Sequence, residues 1–389
     1  MDLSVDSVLP EDAEEALLVG RVWQPGDPAG PRVVRVGRET LDALPVATVT
    51  DLFESARPAA LVRDAPPAPL GGTAQALANS RYDARRDGEP FFLAPCDLQA
   101  VKASGVTFAA SLLERVIEEQ ARGRPEAASA IRKTLMESVG GSLRDIVPGS
   151  PAAVRLKETL VEQGAWSQYL EVGIGPDAEI FTKSQPMSAV GVGAEVGLHP
   201  SSVWNNPEPE VVLFVNSRGE AVGAALGNDV NLRDIEGRSA LLLGKAKDNN
   251  GSCAIGPFIR VFDEAFTIDD VRGAEIGLVV EGDDGFRLAG ASSMSEMSRD
   301  PLDIVAQMMG AHHQYPDGAG LFLGTMFAPV EDRGKPGEGF THKRGDIVTI
   351  ASPRFGRLVN RVDHSDRIPP WTFGAGALMR NLAARGLLG

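Results

Sequence analysis

Basic residues are in deficit. Lys and Arg number 38 against 53 Asp and Glu, which leaves a net charge of −15. Such a surface repels phosphate backbones and anionic bilayers, so neither nucleic acid nor a membrane is an expected partner. A small anionic substrate needs a cation or a local basic pocket to overcome that field. Cysteine is almost missing: Cys96 and Cys253 stand alone and far apart. This excludes a disulfide scaffold and a zinc–cysteine centre, and it suits a reducing compartment. No apolar run approaches the ~18 residues of a membrane-spanning helix. The acidic start Met1-Asp2-Leu3-Ser4-Val5-Asp6 lacks the basic opening of a signal peptide. A cytoplasmic location is therefore expected. There is no internal repeat, and Gly191-Val192-Gly193 is not followed by the Gly-Lys-Ser/Thr of a phosphate loop.

What is present is a globular composition rich in turn formers. Hydrophobic residues make up 43% of 389 positions, enough for a sizeable core, and 43 glycines and 27 prolines are spread along the chain. Dispersed Gly and Pro predict many tight turns between short strands. The runs Leu18–Trp23 and Arg32–Val36 flank a Pro/Gly/Asp turn and predict a hairpin. A short helix is predicted at Asp51–Ala56, and the Pro/Ala/Arg-rich stretch 65–90 reads as a linker or wrapping arm. Residues 1–90 are thus expected to form a small α+β N-terminal domain. Leu112, Leu113, Val116 and Ile117 fall at helical spacing within Phe108–Gln120. Ala128–Val139 and Ala152–Gln163 repeat the pattern around a break at Gly140-Gly141, so 91–165 is read as a helical connecting segment. From about Trp166 short apolar runs alternate with turns. One helix interrupts them at Pro301–Gly310, with Arg299 or Asp300 near its start. A strand-dominated domain over 166–389 follows, and the fold class is α+β.

The chemistry begins at Asn206-Pro207-Glu208-Pro209-Glu210, directly before the apolar run Val211–Val215. Carboxylates at i and i+2 share one face of an extended strand. Unless a cation lies between them, that arrangement is costly, and a hard divalent ion such as Mg2+ or Mn2+ is the natural one. The bland alternative is a solvated edge on which Pro209 blocks pairing. A hairpin through Ser217-Arg218-Gly219-Glu220 would return Asp229 of Gly227-Asn228-Asp229-Val230 to the side of Glu208 and Glu210. Further on, Lys245 and Lys247 precede a Gly-Pro strand. A lysine beside such a metal could serve as an acid or base with a pKa lowered by the cation; a surface charge is the alternative.

The order Glu-x-Glu, Asn-Asp-Val, then Ala-Lys ahead of Gly-Pro resembles the fumarylacetoacetate hydrolase family. The resemblance extends to Glu179-Ile180-Phe181-Thr182-Lys183 upstream and Leu323-Gly324-Thr325 downstream, covering about residues 165–365. It implies a C-terminal mixed β-roll that associates into dimers or tetramers. Glu208, Glu210 and Asp229 are the implied metal ligands. Lys247, rather than Lys245, is the implied active-site lysine. Thr325 is implied to hold a substrate carboxylate, and Lys183 to line the same pocket. Glu179 matches an acidic position of the sugar-acid dehydratase members and is carried as an acid/base or an extra metal contact. Gly105-Val106-Thr107-Phe108, followed by Arg115 and Glu118, resembles a segment of those same members, with Phe108 in place of their Tyr. Trp204-Asn205-Asn206-Pro207-Glu208-Pro209-Glu210 resembles their Trp-x-x-Pro-Glu-Pro-Glu.

The resemblance thus implies an enzyme that removes water from a five-carbon 2-keto-3-deoxy acid, with Mg2+ or Mn2+ as cofactor. Lys247 pairs with Glu179 or Glu118 for proton transfer, and Arg115 is a further substrate contact. A carbon–carbon hydrolase acting on an acylpyruvate is the second expectation, and a catalytically silent binding protein the third. The helix around Leu112–Gln120 is either a packing helix or a lid. His312-His313 is read as a helix C-terminal cap rather than a metal pair, and His199 as a loop histidine bonded to backbone. Glu195 stands with His199 as a group whose approach to the pocket is open. His342-Lys343-Arg344 is either a solvated turn or a basic patch for the substrate.

Overall fold

The strand Pro209–Val215 is buried along its whole length. Its side chains alternate between two cores: Val211, Leu213 and Val215 join one apolar cluster, and Val212 and Phe214 another. Burial on both faces is why the run is continuously apolar rather than alternating. In this computed structural model, which describes residues 1–138, 146–162, 166–334 and 339–388, that strand lies inside a large sheet. Its antiparallel neighbour Ala221–Asp229 returns through a turn in which Asn216 Oδ1 accepts from the amides of Arg218 and Glu220. Gly219 takes a positive φ of 81° there. The register sets Gly227 opposite Glu210 and Asn228 opposite Pro209. Pro209 therefore sits inside the sheet, not at a solvated edge.

Cys253–Val261 pairs on the other side of Ala221–Asp229. The predicted N-terminal hairpin forms as Leu18–Gln24 and Gly30–Val36, and it joins the same sheet through Leu18 opposite Arg260. The order runs Pro69–Gly72, Thr40–Ala43, Gly30–Val36, Leu18–Gln24, Cys253–Val261, Ala221–Asp229, Pro209–Val215, Ala319–Phe322, Ala100–Ser104, Ile180–Ser184. Strands from before and after residue 90 thus share one sheet. A second sheet of five strands orders as Arg287–Ser293, Glu275–Glu281, Ile347–Ser352, Gly356–His364 and Glu195–Leu198. Its inward residues Ile276, Leu278, Val348, Ile350 and Leu358 pack with Val211 and Leu213 in the main core.

The helices Ala109–Ala121, Pro125–Ser138, Pro151–Glu162 and Gln168–Ile174 close one side. They have their own apolar cluster, including Leu112, Val116, Ile117, Leu160 and Leu170 with Trp204. The last of the four lies beyond the expected change to strands at Trp166. Ser167 caps it by accepting from the Tyr169 amide, and Tyr169, Leu170 and Ile174 are buried. The expected break at Gly140-Gly141 lies outside the described residues. The stretch 65–90 is not merely a linker: it contains the strand Pro69–Gly72 and the helix Thr73–Ser80, whose Ala76, Leu77 and Ser80 are buried on one face. Asp300 caps Pro301–Met308 by accepting from the Leu302 amide. Among the described residues no helix is long and apolar enough to cross a membrane.

Gly227 is where the sheet meets its tightest packing. A Cβ there would lie 2.6 Å from Val212 Cγ2 and closer still to the Phe322 ring. Gly227→Ala is expected to destabilise the fold by about 1–3 kcal/mol through overpacking. Urea unfolding checks this, with an unchanged m-value.

Candidate active site

The hairpin register brings the acids together. The Asp229 amide donates to the Glu208 carbonyl at 3.1 Å, and the Glu208 amide donates to Asn228 Oδ1 at 3.2 Å. Glu208, Glu210 and Asp229 are all buried, each offering an oxygen within 4.8 Å of the others'. Like charges at that separation repel by about 3–4 kcal/mol per pair at an effective dielectric of ~20. Cations from three elements offset this. Lys247, at the end of the helix Leu243–Lys247, lies 2.9 Å from Glu208 Oε2 and 3.2 Å from Asp229 Oδ2. Lys183, on Ile180–Ser184, lies 2.8 Å from Asp229 Oδ1 and donates to the Lys247 carbonyl at 2.8 Å. Arg115 reaches from Ala109–Ala121 to Glu208 Oε1 at 2.5 Å. Glu210 is instead held by neutral donors, the Gly324 amide at 2.8 Å and the Thr325 hydroxyl at 3.2 Å.

The protonation pattern follows from these partners. Burial, then the charges of Asp229 and Glu208, push Glu210 well above the ordinary carboxyl range. Asp229 is also penalised by burial, yet Lys183 and Lys247 outweigh it and hold its pKa down. Burial opposes the charged form of Lys247, but with no cation on the acids Asp229 and Glu208 prevail and its pKa is raised. Glu179 is raised to about 7, chiefly by burial and then by Glu236. Its carboxylate fits against Gly105, where a Cβ would collide with it.

Above the acids lies a second set of charges. Arg115 pairs with Glu118 at 2.7 Å and approaches Glu236 at 3.4 Å; Arg233 pairs with Glu118 at 2.9 Å. Glu118 is buried and its pKa is raised by that burial. Glu236 and Arg233, from the short helix Arg233–Glu236, did not emerge from the sequence. The available signal was a pair of charges three apart among Val230, Leu232 and Ile235, all of them buried. The Thr107 hydroxyl donates to the Leu323 carbonyl at 2.7 Å and so ties the Gly105–Phe108 segment to the Gly324-Thr325 turn. Phe108 itself is core.

All nine residues singled out from the sequence therefore fall in one region: Glu208, Glu210, Asp229, Lys247, Lys183, Glu179, Arg115, Glu118 and Thr325. Lys245 is exposed and points away from that role. Glu195 pairs with Arg361 at 2.6 Å in the other sheet. The triplet at 342–344 is no free basic patch, because each member is paired. His342 is buried against Asp346 at 2.9 Å. The His199 ring accepts from the Ser201 amide at 3.1 Å.

The residues present fit a hard divalent cation. Every donor in the trio is a carboxylate oxygen, the set suited to Mg2+ or Mn2+. The charge balance agrees. The buried carboxyls Glu208, Glu210, Asp229, Glu118 and Glu236, with Glu179, face Lys183, Lys247, Arg115 and Arg233. Fully ionised, that set carries an excess of two negative charges, the charge one divalent ion would cancel.

Residues 156–363 match the fumarylacetoacetate (FAA) hydrolase C-terminal family, and the chain belongs to it. Among curated relatives, the "Probable 2-keto-3-deoxyxylonate dehydratase" of Haloferax volcanii is 31% identical over 194 residues, 50% of this chain and 63% of that protein. The 2-dehydro-3-deoxy-D-arabinonate dehydratase of Saccharolobus solfataricus is 30% identical over 190 residues, 49% of this chain and 60% of that protein. Each match thus spans less than two thirds of the relative's length. A solved 2-keto-3-deoxy-D-arabinonate dehydratase, complexed with magnesium and 2,5-dioxopentanoate, superposes with a TM-score of 0.62 at 19% identity, covering 90% of this chain and 99% of that one. It shares the fold.

Glu179 generates a pH test. A carboxyl whose folded pKa is raised from 4.5 to about 7 contributes stability that is complete below the unfolded value and is lost as pH rises through 7. Glutamine mimics the protonated form. In chelator, wild type is expected to lose stability relative to Glu179→Gln between pH about 5 and about 8. Urea unfolding at the two pH values checks this; a constant difference would contradict it.

Proposed function

We propose that this protein is a hydro-lyase that converts a 2-keto-3-deoxypentonate into 2,5-dioxopentanoate, with Mg2+ or Mn2+ held by Glu208, Glu210 and Asp229. The observation that carries the reading is the buried three-carboxylate set itself, with oxygens within 4.8 Å of one another; a fourth buried carboxyl, Glu179, raised to about 7 chiefly by burial, accompanies it. Further support is that two relatives near 30% identity are dehydratases by name, one of them a probable one. The bound cation would supply Lewis-acid polarisation of the 2-oxo acid, making the C3 hydrogens acidic.

The chain's own groups then handle the protons. One group removes a C3 proton, and another protonates the C4 hydroxyl as its carbon–oxygen bond breaks and water leaves. Transfer of a proton from C5 to C3, and of the C5 enol proton to C4, leaves the aldehyde and balances the atoms. Glu179 is suited to this traffic because its two protonation states are nearly equal at neutral pH. Lys247, held charged by Asp229 and Glu208, is suited to donating. Glu118 has both oxygens engaged by Arg115 and Arg233, so we assign it to positioning Arg115 rather than to proton transfer. Thr325 and Arg115 are the candidate donors for the substrate's carboxylate and hydroxyls, while Lys183, whose three donors go to Asp229 and to the Val230 and Lys247 carbonyls, serves to hold Asp229 in place.

Incubation with racemic 2-keto-3-deoxypentonate and Mg2+ is expected to give a product lighter by one water, and chelator is expected to abolish it. Glu179→Gln should lower kcat by about 10²–10⁴-fold with a smaller change in KM. Release of pyruvate from an acylpyruvate, with no loss of water from the pentonate, would instead indicate the carbon–carbon hydrolase.

A further inference from the structure

A second cavity lies apart from the acidic site. Its volume is about 380 Å³, and it shares no lining residue with the carboxylate trio. That size falls within the range of small-ligand pockets, about 300–1,000 Å³. Its walls come from the strands Leu18–Gln24 and Phe91–Leu93, the loop after Ser184, and the segment 368–373. The facing is aromatic. Trp23 and Phe91 lie nearly parallel at 18° with centroids 6.4 Å apart, and Phe373 meets Trp23 edge-on at 5.1 Å. Tyr82 and Trp371 complete the lining, and Trp371 keeps 46% of its surface exposed. The three rings pack on one another, and the surface they turn toward the void is what a planar guest would lie against.

The charges of the cavity reduce to one. Arg21 is spent on the Ala94 and Cys96 carbonyls and on Asp97. Glu195 is paired with Arg361. Arg85 lies with its guanidinium 3.9 Å from the Phe91 centroid, and among the described residues no carboxylate pairs with it. Arg85 therefore brings an uncommitted positive charge to the rim of an aromatic cavity. A single guanidinium matches a single negative charge, and its planar fork matches a carboxylate; a phosphate monoester, with nearly two charges, would want a second cation.

We propose that this cavity is a second ligand site that takes an aromatic monocarboxylate, with the ring among Trp23, Phe91 and Phe373 and the carboxylate on Arg85. The test uses indole-3-acetate as probe, with tryptophol as its neutral counterpart, followed by calorimetry and saturation-transfer NMR. Saturable one-to-one binding of indole-3-acetate is expected. Arg85→Met keeps the apolar stem over Phe91 and should weaken it about 10–100-fold, while tryptophol binding stays unchanged. Saturating pyruvate with Mg2+ should not displace the probe. The proposal is overturned by absence of saturable binding, by equal affinity in Arg85→Met, or by displacement with pyruvate, which would put the probe at the acidic site. It is also overturned if the wild type excludes the probe and runs as an oligomer that Trp371→Ala dissociates, since the cavity would then be covered by a second copy.

Discussion

Three carboxyl groups cannot share a dry interior unless the fold answers their charge, and much of this molecule is arranged around that answer. Glu208 and Asp229 take Lys247, Lys183 and Arg115 from a helix end, a strand and an outer helix. Glu210, lacking such a close cation, is served by the Gly324 amide and the Thr325 hydroxyl, and its proton is held more tightly for that reason. Removing one partner of a buried pair strands the other at a cost of about 3–5 kcal/mol, so each of these elements is bound to the site as much as the site to them. A divalent ion would relieve the same repulsion more completely than the lysines do, because it would let Glu210 give up the proton that burial and its acidic neighbours now favour.

The helical layer is tied to this centre by charge rather than by the main core. Its apolar residues form a separate cluster, and Arg115 and Glu118 project from its buried face toward Glu208, Arg233 and Glu236. An amphipathic helix ordinarily turns such residues to water. Here they are buried because the opposing surface is itself charged. The layer therefore covers the acids and supplies one of their counter-ions, a dual role that neither pure packing nor a detached lid describes. Glu179 completes the arrangement from the end of that layer, its carboxyl accommodated by the missing side chain of Gly105.

Much of the fold was legible along the chain because it is written in short-range patterns. The N-terminal hairpin, the helix Ala109–Ala121 and the continuous apolar strand Pro209–Val215 each follow from local period and turn chemistry. Of the two readings of 65–90, linker or wrapping arm, the plain linker fails, because the Pro and Arg content masks Ala76, Leu77 and Ser80, whose spacing makes a helix only against a sheet to receive it. His342-Lys343-Arg344 reads along the chain as a solvated turn or a basic patch; its charge is taken up by Asp346 four residues on and by Asp284 and Asp363, which lie far off in sequence.

Residue order by itself put the acids Glu208 and Glu210 on one strand and Asp229 on the strand that returns after a short turn; the bulge between Ala221 and Gly223 then sets the register that brings Asp229 to Glu208. It also determined the kind of ion that such oxygens would prefer. Only the tertiary structure decided the partners and protonation of those acids, because charge interactions depend on distance through space and on exclusion of water. Glu236 and Arg233 became part of the site, and Lys247 came to lie against Glu208, Asp229 and Glu236, through burial that the assembled layers impose and that no single segment contains.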